Sequence, residues 1–89
     1  MTQQIVWLSE GTTRPVDIHS LKARVADSGS YIKGFTVKDA RYYFSRVRIV
    51  VEYADSSPHV KQILSNIEWT IEHATGIRPT RQSESNSEP

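Results

Sequence analysis

The histidines at positions 19, 59 and 73 have the widest chemical repertoire in this sequence, since an imidazole can bind a metal, relay a proton or activate a nucleophile. His59, Asn66 and His73 recur at steps of seven. That spacing sets them on one helix face about 10 Å apart per step, too far for two of them to share a metal ion. Asp17 with His19, and Glu72 with His73, are only half of an acid–base arrangement, because neither neighbourhood supplies a nucleophile or a set of oxyanion donors. There is no cysteine to serve as thiolate ligand or nucleophile. Gly11, Gly29, Gly34 and Gly76 lie too far apart in the chain to build a phosphate-cradling loop locally. The pattern predicts no enzyme, no metal site and no small-molecule cofactor.

Two places carry a more specific signal, and both are signals for binding. In the stretch "VKQILSNIEWTIEHATG", steps of about 100° from Val60 gather Ile63, Leu64, Ile67, Ile71 and Ala74 into one arc, while Trp69 falls opposite, near Gln62, Ser65, Asn66, Glu72 and His73. A helix packed by that stripe turns its tryptophan outward. Tryptophan is frequent among interface hot spots and often has a polar rim, so Trp69 with Gln62, Asn66 and His73 is the first candidate contact.

The second is "RYYFSRVRIVVEY". Read as one continuous strand, its alternation sets Tyr43, Ser45, Val47, Ile49, Val51 and Tyr53 on one face, and Tyr42, Phe44, Arg46, Arg48, Val50 and Glu52 on the other. The even set combines aromatic rings with arginines, which suits either a protein surface or single-stranded nucleic acid stacked on Tyr42 and Phe44 with its phosphates on Arg46 and Arg48. The RNP1 pattern of sheet-type RNA binders is not met, because no glycine follows the first basic residue of "RYYFSRVR".

These faces require particular elements. "QQIVWLS" has the β-branched and aromatic content of a first strand, closed by the turn-like "SEGTT". "RPVDIHSLKARVADSG" fits helical spacing through Ile18, Leu21 and Val25, with Pro15 in a first turn and "DSG" as a stop; a meander of strands is the rival reading. "SYIKGFTV" reads as a strand with a bulge or close approach at Gly34, joined to the "RYYFSRVRIVVEY" strand by a turn around "KDA". "SPHVKQILSNIEWTIEHATG" holds a helix of about 18 residues with Ser57 as cap, Pro58 in its first turn and Gly76 just past its end. The expected architecture is an α+β domain over residues 1–77, an antiparallel sheet with helices on one face in the ferredoxin-like order β-α-β-β-α, with a short last strand near "IRPTR" as an optional sixth element. The alternative is a β-meander followed by one long C-terminal helix. Residues 78–89, rich in Ser, Glu and Pro, are expected to form a disordered polar tail.

The 89 residues leave room for one small domain, whose core must hold without disulfides. Net charge is +1, yet residues 14–48 carry eight Lys or Arg against three Asp, and 52–72 carry one Lys against four acidic residues. That asymmetry can orient a partner or a second copy. No stretch approaches the ~20 apolar residues of a membrane span, and "MTQQIVWLSE" lacks the features of a signal segment. The sequence thus predicts a cytoplasmic, non-enzymatic protein-binding module, adaptor or regulatory, whose partner is another protein or a second copy in a homodimer. Single-stranded nucleic acid on the sheet face is the alternative partner.

Overall fold

The computed structural model describes residues 2–54 and 57–83. The elements run β1 (Gln3–Glu10), α1 (Ile18–Gly29), β2 (Thr36–Tyr43), β3 (Arg46–Tyr53), α2 (Val60–Thr75) and β4 (Thr80–Ser83). The four strands form one antiparallel sheet in the order β2-β3-β1-β4. Each helix therefore links two strands that have a third strand between them.

Cross-strand register explains which face is core. Ile5 pairs with Val51 and Trp7 with Ile49, and this row joins Leu21 and Val25 of α1 and Val60, Leu64, Ile67 and Ile71 of α2 in one buried cluster. Both helices therefore cover the same side of the sheet. The segment from 18 to 29 is helical, so the alternative of a β-meander followed by one helix does not hold. Asp17 starts α1 by accepting the Ser20 N–H at 3.2 Å, meeting one of the donors a helix start leaves free.

Several expected boundaries move. The strand predicted from Ser30 begins only at Thr36, because α1 runs on to Gly29 and Gly34 adopts φ 75°, which a regular strand does not accommodate. Ile32 still reaches the core from this loop. The "KDA" segment is not a turn but lies within β2, where the register shifts between Val37 and Asp39.

The actual hairpin turn is Phe44–Ser45, with φ of 51° and 57°. Left-handed backbone costs a non-glycine residue roughly 1–2 kcal/mol, so this turn needs outside support. The Ser45 carbonyl supplies an anchor by accepting the N–H groups of Gly11 at 2.9 Å and Thr12 at 3.0 Å.

α2 is 16 residues long and starts at Val60, so Pro58 and His59 precede it and His59 takes the cap position expected of Ser57. It ends as expected at Gly76, whose φ of 84° permits its N–H to bond the Glu72 carbonyl at 2.8 Å. Beyond residue 77 the optional sixth element is present. Thr80–Ser83 pair with β1 as the last strand, and the remainder of the expected tail, 84–89, lies outside the described residues.

Candidate functional site

The orientation of α2 follows from magnitudes. Val60, Leu64, Ile67 and Ile71 are all buried, and burying each aliphatic side chain contributes roughly 1.5–3 kcal/mol. Rotating the helix to bury Trp69 would expose them, a loss that one tryptophan does not offset. Trp69 consequently stands 58% exposed. Its ring lies over that of His73, with centroids 3.8 Å apart and planes tilted by 31°, while His73 Nδ1 is 3.0 Å from the Trp69 carbonyl. Gln62 Nε2 donates to Asn66 Oδ1 at 3.2 Å one turn earlier. Gln62, Asn66, Trp69 and His73 are thus exposed together on the outer face of α2. Arg14 ties the end of this face to the β1–α1 loop by donating to the His73 carbonyl at 3.3 Å.

Trp69 has a second flank, and it is the indented one. At about 100° per residue, Gln62, Asn66 and His73 fall to one side of Trp69, whereas Ser65, Glu68 and Glu72 fall to the other. There, together with Arg78 from the segment beyond Gly76, they line an open cleft of about 220 Å³ with Trp69 as one wall.

Glu68 forms the fixed part of that wall. Its Oε2 accepts the indole N–H of Trp7 at 2.8 Å and ion-pairs with Arg81, whose Nε and Nη2 lie at 2.7 Å and 2.6 Å. One carboxylate therefore joins β1, α2 and β4. Charge-assisted bonds of this kind are roughly twice as strong as neutral ones, so the edge of the cleft nearest the sheet is well anchored. Trp7, Glu68, Arg78 and Arg81 carry no signal in the sequence that marks them as site residues. Periodicity does place Glu72 on the outer side of the helix, but nothing local pairs Trp7 with a carboxylate 61 residues away.

The sheet candidates do not come together as expected. A two-residue turn at Phe44–Ser45 makes Tyr42 pair with Val47, so Tyr42 lies on the core side and packs against the cluster. Phe44 is at the turn itself, 96% exposed, with its ring edge-on to Tyr43 at 5.9 Å. Neither stacks beside the arginines. The open face instead carries ion pairs: Arg46 with Glu10 at 3.0 Å, Arg48 with Asp39 at 3.6 Å, Arg41 with Asp39 at 3.0 Å and Lys38 with Glu52 at 3.8 Å.

Beneath these lie Val50 and Val6, paired across β3 and β1 and only 7% and 1% exposed. Register sets them between a row holding Arg41 and Arg48 and a row holding Glu52 and Gln4. Long side chains can lay their aliphatic stems over such a floor while their charged ends stay in water.

Among the described residues, no group of three or more His, Asp or Glu side chains is placed to hold a metal ion, and no helix is long and apolar enough to cross a membrane. No family model, curated protein or solved structure matches the chain.

Proposed function

We propose that this chain is a non-enzymatic, cytoplasmic protein-binding module, of adaptor or regulatory type, which engages its partner through the outer face of α2 around Trp69. The observation that carries the reading is the exposed indole of Trp69, held against His73 on a helix whose opposite stripe is committed to the core. An anchored aromatic loses little conformational freedom when it is covered, which is the property of an interface hot spot. The scaffold is read as the split β-α-β arrangement of ferredoxin-like domains. Supporting that reading are the connections of β1 to β2 across β3 and of β3 to β4 across β1. Such a scaffold does not determine activity, so the functional reading rests on the surface.

The open sheet face is left out of the proposed contact. Its arginines already have carboxylate partners, and Tyr42 and Phe44 do not form a stacking platform with them. Quantitative affinity purification from the cells of origin tests the proposal, using the native chain, Trp69→Ala, and Arg46→Ala with Arg48→Ala. The expected result is a bound protein lost with Trp69→Ala and retained with the double arginine variant. The opposite pattern, or RNA recovered in place of protein, contradicts it.

A further inference from the structure

Glu72 and Arg78 line the same cleft beside Trp69, one from the last turn of α2 and the other from the segment beyond Gly76. Among the described residues, neither side chain has an ion pair or hydrogen bond. Their neighbours Glu68 and Arg81 are bonded to each other. The patch thus presents an aromatic ring, an unpaired anion and an unpaired cation that do not satisfy one another.

A contact between two identical chains about a two-fold axis has a specific requirement: if residue i meets residue j, then j must also meet i. A patch of one sign cannot satisfy it, since like charges would face each other. A patch holding one free charge of each sign around an aromatic centre can. We infer that the occupant of the Trp69 surface is a second copy of this chain, related by a two-fold axis beside Trp69, with Glu72 of each copy meeting Arg78 of the other. Trp69 then lies at the centre, where water exclusion strengthens both ion pairs and where hot-spot aromatics are concentrated. The Gln62–Asn66 pair, which carries both amide donors and acceptors, extends the same self-complementary face along α2.

This inference rests on the proposed contact role of Trp69 and adds the identity of the partner. Its test is the solution mass across a concentration series for the native chain, Glu72→Arg, Arg78→Glu, their equimolar mixture and the double variant, with circular dichroism confirming that each is folded. The native chain is expected to dimerise. Either single reversal sets like charges opposite each other twice, and should weaken self-association by roughly tenfold or more. Mixing the two single variants, or combining both changes in one chain, restores opposite charges at both contacts and should return the affinity to within a few-fold of native.

A native chain that stays monomeric throughout overturns the second-copy inference but leaves the contact role of Trp69 standing if purification still shows a Trp69-dependent partner. A dimer unaffected by either reversal, or one that the mixture fails to recover, overturns the reciprocal Glu72–Arg78 pairing. Absence of both a dimer and any Trp69-dependent partner would overturn the underlying reading as well.

Discussion

Two outward surfaces of this protein, the open sheet face and the outer flank of α2, both carry charged and aromatic residues, yet they are built differently. On the open sheet face the arginines meet Glu10 and Asp39 of their own chain, over a floor of Val6 and Val50 that is already buried. On the outer flank of α2, Glu72 and Arg78 border a cleft walled by an exposed tryptophan, and neither has a partner among the described residues. The first surface is internally satisfied and the second is not. Composition alone makes both look like binding sites; the pairing of charges within the chain distinguishes them.

The strongest test of the α2 assignment is Ile67→Ala. Ile67 is fully buried two residues before Trp69, and its truncation should cost about 3 kcal/mol in urea unfolding, the usual range for a buried aliphatic with incomplete collapse of the cavity. A cost near zero would mean that the inner stripe does not hold the helix. Val6→Ala addresses the sheet. If its floor is covered by the chain itself, as 1% exposure implies, about 2 kcal/mol should be lost in the same assay, whereas a floor awaiting a partner would lose almost nothing in the isolated domain.

Arg46→Ala with Arg48→Ala should lower stability by less than about 1 kcal/mol, as exposed ion pairs contribute little, and should leave solution mass and any affinity for single-stranded RNA unchanged. Strong RNA binding by the native chain that this variant abolishes would reverse the comparison.

Periodicity makes α2 legible because its apolar stripe, its outward tryptophan and its closing glycine all belong to one segment, whose local signals agree with the final packing. The sheet is harder to read for a specific reason. Type I′-like turns normally advertise themselves with Asn-Gly or Gly-Gly, whereas Phe44–Ser45 are held in that geometry by bonds from Gly11 and Thr12, more than 30 positions away in sequence. Without the turn, a hairpin end reads as one long strand and Tyr42 is assigned to the wrong face.

The cleft is equally hidden. Glu68 is anchored by Trp7 and Arg81, and Arg78 arrives only because Gly76 redirects the chain after α2. The outward position of Trp69 follows from helix geometry, whereas the charges beside it that lack partners emerge only from tertiary structure.

Trp69→Ala should change the stability of the folded chain by no more than about 0.5 kcal/mol, because it removes an exposed side chain from a helix held by its other face. That small effect makes it the cleanest probe of contact. The decisive measurement is solution mass by light scattering on the native chain and on Trp69→Ala at matched concentrations. A dimer is expected for the native chain and a folded monomer for Trp69→Ala. The same mass for both would contradict self-association through Trp69.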